Sequence, residues 1–136
     1  MSLLNSHRVE YLLIGGYAVG YHGYPRPTGD MDVWIALSPE NAARVARALV
    51  EFGFSTEAVP ASLFMESGRI VRMGFPPMKL EIVTAISGVD FKTCYTRRVR
   101  TEIDDVPVDI IGLEDLKTNK RASGRHKDLN DLEQLS

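Results

Sequence analysis

Two aspartates separated by one residue, Asp30 and Asp32, carry the clearest chemical signal in the sequence. If residues 30–35 form a β-strand, both carboxylates point to one face, because alternate side chains of a strand share a face. Met31 and Val33 would then point to the other face, into a core. Carboxylates held this close repel each other, and a bound cation is the usual remedy. Such oxygen ligands suit Mg²⁺, which binds one or two carboxylates and completes its shell with water and phosphate oxygens.

A glycine pair, Gly15-Gly16, precedes the aspartates and directly follows the apolar run of residues 9–14. We interpret this run as a buried strand and predict a short helix over residues 16–23, because further glycines limit its length. Free backbone N–H groups at a helix start can bind a phosphate. The alternative for the glycine pair is a tight turn that requires positive φ and has no ligand.

The loop between these two features, residues 24–29, is too rich in proline and glycine to form regular structure. It contributes Arg26 and Thr28 as candidate nucleotide-binding side chains. Together with the glycine pair and the acidic strand, this loop would place phosphate donors and metal ligands across one small crevice. The combination is a sharper signal than any of its parts.

The rest of the chain mixes helical and strand patterns. A helix is predicted over residues 39–52, with Ser38 as the N-cap, Pro39 at its first position and Gly53 at its end. Further strands are predicted at residues 70–73, 79–84, 95–103 and 106–111, with turns at 74–77 and around Asp104-Asp105. Two helices follow. The first opens at Glu114-Asp115-Leu116 and ends at Gly124, and the second is marked by Leu129, Leu132 and Leu135. Strict βαβ alternation is absent. The pattern therefore predicts an α+β (α/β-like) fold, with a mixed β-sheet flanked by helices.

Composition sets the outer bounds. The 136 residues, with 44% hydrophobic and 25% charged residues, fit one globular domain over residues 1–136. The net charge of −2 gives no overall attraction to nucleic acid or membrane. A single cysteine, Cys94, excludes an internal disulfide and fits a reducing cytoplasm. Neither a membrane-spanning stretch nor a signal peptide is recognisable, so we expect a cytoplasmic protein with no membrane partner.

Residues 12–19 and 26–33 resemble the active-site segment of the DNA polymerase beta-like nucleotidyltransferase superfamily. They are most similar to its small bacterial branch, which contains antibiotic nucleotidyltransferases and abortive-infection type toxins of toxin–antitoxin systems. The resemblance implies a nucleotidyltransferase-like fold in which the glycine turn holds a nucleoside triphosphate. It also implies that Asp30 and Asp32 bind Mg²⁺, or Mn²⁺, and that a third carboxylate from a neighbouring strand joins them.

Glu81 is the candidate for that third carboxylate, both as a metal ligand and as a catalytic residue. It alternates with Leu80 and Ile82, so it can face the crevice while they pack inside. Asp109 shows the same alternation and is the second candidate. The alternative for Glu81 is an ordinary solvent-facing strand residue.

The end of the chain, residues 113–132, also resembles the ending of that branch. The resemblance implies that Lys120, as a triphosphate contact, and Asp128 flank the site, with Asp131 close behind. The alternative is a solvated charged face on a terminal helix, which is a common feature of soluble domains.

The resemblance implies a Mg²⁺-dependent nucleotidyltransferase that moves a nucleoside monophosphate from a nucleoside triphosphate to an acceptor hydroxyl and releases pyrophosphate. The acceptor could be an RNA end, a protein or a small molecule, and a homodimer or partner protein could complete the cleft. Gly16 stands where the family usually has serine, so one alternative is an inactive module of the same fold that binds a nucleotide or a protein partner. A metal-dependent phosphohydrolase is a further alternative, which the absence of a histidine–aspartate metal motif disfavours.

Overall fold

The computed structural model describes residues 2–23, 30–74 and 79–135. These residues form thirteen elements. In chain order they are α1 (Ser2–Ser6), β1 (Tyr11–Ile14), α2 (Gly15–Tyr21), β2 (Asp30–Ile35), α3 (Pro39–Phe52), a 3₁₀ turn (Ala61–Phe64), β3 (Ile70–Met73), β4 (Lys79–Val83), α4 (Phe91–Thr96), β5 (Val99–Ile103), β6 (Val106–Ile110), α5 (Leu113–Ser123) and α6 (His126–Leu135). The predicted loop with Arg26 and Thr28, and most of the predicted turn at 74–77, lie outside the described residues.

The strands form one mixed sheet in the order β3-β4-β2-β1-β6-β5. The inner strand β2 pairs antiparallel with β1 and parallel with β4. β1 pairs parallel with β6, while the outer strands β3 and β5 pair antiparallel with their neighbours. The predicted α+β fold with a mixed sheet is thereby confirmed.

β2 is anchored at one end and open at the other. Val33, Trp34 and Ile35 are buried. The rings of Trp34 and of Phe91 from α4 pack edge to face, with their centroids 5.2 Å apart. Asp30, at the beginning of the strand, is exposed. The apolar half of β2 therefore fixes the strand in the core and holds its acidic half at the edge of the sheet.

The predicted helix α3 is confirmed at both ends. The Ser38 hydroxyl accepts a hydrogen bond from the Asn41 backbone N–H at 3.1 Å, and Pro39 begins the helix. Gly53 ends it with a φ of 129°. None of the helices within the described ranges combines the length and the apolar character needed to cross a bilayer.

The predicted strand over residues 95–103 is wrong in its first half, because α4 occupies residues up to Thr96 and β5 begins at Val99. The Asp90 carboxylate caps α4 by accepting from the Thr93 backbone N–H at 3.0 Å. Packing of Phe91 on the core and stacking of Phe91 on Tyr95 then stabilise this short helix. The other boundaries differ by a few residues, as at β1, which begins at Tyr11.

The predicted turn at Asp104-Asp105 is confirmed. Both aspartates have positive φ, 52° and 64°, between the paired residues Ile103 and Val106. Two central residues with positive φ are the mark of the tight hairpin turn that matches strand twist.

Candidate active site

Asp32 and Glu81 are direct neighbours across two parallel strands. The register of β2 and β4 pairs Asp32 with Glu81 and Asp30 with Lys79. Residues paired in this way, and residues two apart on one strand, point to the same face of the sheet. The three carboxylates therefore share one face, and we call Asp30, Asp32 and Glu81 the acidic site.

The turn formed by Gly15 and Gly16, which we call the glycine corner, contacts the acidic site directly. Gly15 has a φ of +66°, a region that favours glycine, and it starts α2 immediately after β1. A Cβ atom built on Gly15 would lie 2.0 Å from the Asp32 carboxylate oxygen Oδ2. Any side chain at position 15 would thus collide with Asp32, so the glycine is required by the close approach of the backbone to the carboxylate. The N-terminus of α2, where Gly16 follows, has no side-chain cap.

The charge of Asp32 is incompletely compensated. Burial raises the pKa of the Asp32 carboxyl, and the neighbouring charges of Glu81 and Asp30 raise it further. The positive charges of Lys127 and Lys120 act in the opposite direction but do not cancel the increase. A carboxylate pair in this state favours the approach of a cation.

The donor set of the acidic site fits Mg²⁺. Within residues 2–23, 30–74 and 79–135, no three His, Cys, Asp or Glu side chains are already arranged as a metal site. Mg²⁺ does not require three, because it is usually bound through one or two carboxylates together with water and substrate phosphates. Asp30 and Asp32 can supply these carboxylates.

Glu81 also has a cationic neighbour that the sequence analysis missed. Arg72 of β3 is paired in register with Glu81, and its Nε–H donates to Glu81 Oε2 at 3.2 Å. The other carboxylate oxygen of Glu81, Oε1, makes no hydrogen bond within the described parts of the chain. The alternation of the two neighbouring strands could have suggested this pairing, but only with the correct register.

Asp109 lies elsewhere in the sheet. It belongs to β6, which is separated from β2 by β1. Its carboxylate oxygens form ion pairs with Arg100 Nε at 2.9 Å and Arg98 Nε at 3.5 Å. The structure therefore brings Glu81, and not Asp109, beside Asp32.

Lys120 is buried, contrary to the alternative of a solvated helix face. Its side-chain Nζ lies 3.0 Å from Asp128 Oδ1 and 3.2 Å from Asp131 Oδ2. Lys120 is 3% exposed, and both aspartates are 0% exposed. We call these three residues the buried cluster. A direct phosphate contact by Lys120 would have to displace these ion pairs, so the placement favours a positioning role.

Two further side chains, those of Ser123 and Arg125, contact the buried cluster. Asp128 Oδ2 accepts hydrogen bonds from Arg125 Nε at 2.6 Å and from the Ser123 hydroxyl at 2.9 Å. Burial alone would raise the pKa of Asp128, but the hydrogen bonds from Arg125, Lys120 and Ser123 hold it well below its usual range. The hydrogen bond to Asp128 and the charge of Asp128 are the main reasons why the pKa of Arg125 is raised, and the charges of Asp32 and Glu81 raise it further. Arg125, directly before α6, and Lys127 within it therefore interact electrostatically with the acidic site.

Among known proteins, only the comparison with solved structures gives matches, and these agree on the fold. No family model matches the chain. No curated protein matches it by sequence. Among solved structures, a candidate nucleotidyltransferase from Thermotoga maritima is similar with a TM-score of 0.65 and 17% identity, over 97% of this chain and 84% of that chain.

Two more solved structures are similar. One is an antigenic nucleotidyltransferase-like protein from Paracoccidioides brasiliensis, with a TM-score of 0.56 and 19% identity, over 98% of this chain and 70% of that chain. The other is the lincosamide antibiotic adenylyltransferase LnuA with lincomycin bound, with a TM-score of 0.57 and 15% identity, over 98% of this chain and 90% of that chain. The chain therefore has the fold of these nucleotidyltransferases.

Proposed function

We propose that the chain is a Mg²⁺-dependent nucleotidyltransferase that moves a nucleoside monophosphate from a nucleoside triphosphate to an acceptor hydroxyl. One observation carries the proposal: the Asp32 carboxylate lies directly against Gly15 and beside Glu81, which joins the glycine corner and the acidic site. The fold shared with the adenylyltransferase LnuA supports the same class of reaction.

Each residue has a role that follows from its place. Asp30 and Asp32 hold Mg²⁺, or Mn²⁺, and the backbone N–H groups of Gly15 and Gly16 hold the triphosphate. A metal ion held by these two carboxylates would supply the positive charge that an in-line displacement at phosphate requires. Glu81 adds negative charge to the metal side and places an oxygen where an acceptor hydroxyl would approach.

The reaction is a simple group transfer, in which one bond to phosphorus forms and one breaks. The acceptor oxygen forms a bond to the α-phosphorus, and the bond from that phosphorus to the oxygen of the β-phosphate breaks. Pyrophosphate leaves, and the hydroxyl proton passes to the Glu81 carboxylate or to water. Arg26 and Thr28 remain proposed nucleotide contacts, and Lys120 and Asp128 are proposed to hold α6 in place beside the site.

The test measures transfer and nucleotide binding together. The purified protein is incubated with each α-³²P-labelled nucleoside triphosphate, Mg²⁺ and total cell RNA or lysate, and labelled products and pyrophosphate are quantified. We expect Asp32→Asn to reduce transfer by about a hundredfold or more, because a displaced metal misplaces the reacting groups. Asp104→Asn is the matched control, since Asp104 lies in a turn with positive φ, where asparagine is well tolerated.

The outcomes separate the two functions considered for this fold. Pyrophosphate release that disappears in Asp32→Asn, with a urea unfolding midpoint equal to or higher than that of the wild type, supports the transferase. Mg²⁺-dependent triphosphate binding by the wild type without any transfer would instead favour an inactive nucleotide-binding module. Equal transfer in the wild type and Asp32→Asn would reject the role of the acidic site.

A further inference from the structure

Arg72 is the outermost residue of the row that contains Asp32 and Glu81. The register of the sheet pairs Ile14 with Asp32, Asp32 with Glu81, and Glu81 with Arg72. All four side chains therefore share the face of the acidic site. The Arg72 side chain is 74% exposed, so it is open to a ligand.

The hydrogen bond to Glu81 orients the Arg72 side chain and leaves its terminal nitrogens available to a ligand. The contact uses only Nε–H, which donates to Glu81 Oε2 at 3.2 Å. The two terminal nitrogens, with four N–H donors, make no hydrogen bond or ion pair within the described parts of the chain. A planar guanidinium held in this way presents a fork that fits a phosphate group. An exposed ion pair adds little to stability, so folding alone gives a weak reason for this geometry.

The position of Arg72 relative to Asp32 indicates which substrate it meets. Gly15 lies against Asp32 on the β1 side, whereas Glu81 and Arg72 lie on the opposite side, on β4 and β3. Strands are about 4.8 Å apart, so β3 lies about 10 Å from β2. In an in-line displacement, the leaving pyrophosphate and the acceptor oxygen lie on opposite sides of the α-phosphorus. With the triphosphate at Gly15, the acceptor approaches from the side of Glu81 and Arg72.

We infer that Arg72 binds a phosphate group of the acceptor, so the acceptor carries phosphate in addition to the reacting hydroxyl. This inference rests on the proposed function. Lys79, which is exposed and lies on the same face two residues before Glu81, adds positive charge to this side. A neutral acceptor would leave the terminal nitrogens of Arg72 without an ionic partner, whereas a phosphate satisfies them.

The test compares charged and neutral acceptors by equilibrium binding. A fluorescein-labelled oligoribonucleotide of about eight nucleotides with a free 3′-hydroxyl is titrated with the protein, beside the same sequence with a neutral methylphosphonate backbone. Competition by adenosine 5′-monophosphate and by adenosine distinguishes a small phosphorylated acceptor from a polymer. The wild type is expected to bind the charged oligomer at least about tenfold more tightly than the neutral one, or adenosine 5′-monophosphate more tightly than adenosine.

Substitutions at Arg72 should remove that preference. Arg72→Gln is expected to weaken binding of the phosphate-bearing probe by about tenfold, and Arg72→Lys to recover only part of it, because lysine lacks the fork. Arg69→Gln is the matched control, since Arg69 also pairs with a glutamate, Glu66, near the same edge strand. The unfolding midpoints of all variants are measured in parallel.

The two proposals fail in different ways. Equal binding of the phosphate-bearing probe by the wild type and Arg72→Gln, or no preference for phosphate in the wild type, would overturn the inference. In the control Arg69→Gln, Mg²⁺-dependent binding of the nucleoside triphosphate should stay at the wild-type level. Absence of that binding in the wild type would reject the proposed function itself.

Discussion

The acidic site and the buried cluster each contain aspartates, but the surroundings of these aspartates differ. In the buried cluster, Asp128 receives hydrogen bonds from Lys120, Arg125 and Ser123, and its pKa is held well below its usual range. In the acidic site, burial and the charge of Glu81 raise the pKa of Asp32. The first carboxylate has cations in direct contact, whereas the strongest charged neighbour of the second is another carboxylate, Glu81.

This difference separates a structural ion cluster from the site that we propose binds a metal ion. The lysine and carboxylates of the buried cluster are almost fully withdrawn from water, and removing Lys120 takes away the partner that both carboxylates share. The acidic site is open to solvent at Asp30. The same contrast explains why Lys120, which in sequence looked like a phosphate contact, is better placed to hold α5 and α6 together.

The largest effect is expected from Lys120→Met, which removes the ammonium of the buried cluster. Two buried carboxylates would lose their shared partner, and the free energy of unfolding should fall by about 3–5 kcal/mol. Urea unfolding followed by circular dichroism measures this loss. Lys92→Met, at an exposed position on α4, is the control and should change stability by less than about 0.5 kcal/mol.

A compensated variant tests the reason for that loss. Replacing Lys120 by Met together with Asp128→Leu and Asp131→Leu removes all three charges, and a well-packed apolar replacement is often neutral or stabilising. We expect this variant to be more stable than Lys120→Met alone. If the single variant kept wild-type stability, the cluster would not be the structural element described above.

A medium effect, with opposite signs in the two regions, is expected from an isosteric change of aspartate to asparagine. Asp128→Asn loses the charge that accepts hydrogen bonds from three residues and should destabilise the protein by about 2–3 kcal/mol. Asp32→Asn relieves repulsion by Glu81 and should stabilise the metal-free protein by up to about 1 kcal/mol. Thermal and urea unfolding without divalent cations measures both changes. Destabilisation by both substitutions would show that the two carboxylates do not differ in the way proposed.

Sequence patterns predicted the frame of the acidic site because that frame depends on local signals. Alternation placed Asp30 and Asp32 on one face, and Ser38 with Gly53 defined α3, since a cap and a left-handed end are short-range features. The six-residue helix α4 was missed because it depends on a tertiary contact between Phe91 and Trp34. Local propensity carries no information about such a partner.

The charges of the site were harder to predict than its backbone. Glu81 followed from alternation, but its contact with Arg72 requires the β3–β4 register, which the residues between these strands do not specify in sequence. Lys120, Asp128 and Asp131 occur in a strongly charged segment, which usually indicates a solvated face. Their burial depends on how α5 and α6 pack against each other after Gly124, which has a φ of +64°.

The finest distinction between the two regions is the pH range in which each substitution acts. A carboxyl with a lowered folded-state pKa gives stability that is complete above its unfolded value and is lost as the pH falls below it. For Asp128 the unfolded value is close to 3.8, so the gap between the wild type and Asp128→Asn should begin to close only near pH 3.8 and continue to close below it.

Asp32 behaves in the opposite sense. Its folded-state pKa lies above 3.8, so its ionised form is disfavoured in the folded protein, and the advantage of Asp32→Asn is complete above that folded pKa. As the pH falls through the folded pKa toward 3.8, the wild-type carboxyl takes up a proton and the advantage disappears. Urea unfolding of the three proteins in steps of half a pH unit, from pH 7 to pH 3 without divalent cations, should therefore show two gaps of opposite sign that close on opposite sides of pH 3.8. Closure of both gaps in the same range would mean that Asp32 and Asp128 have similar electrostatic surroundings, and the contrast between the buried cluster and the proposed cation site would be lost.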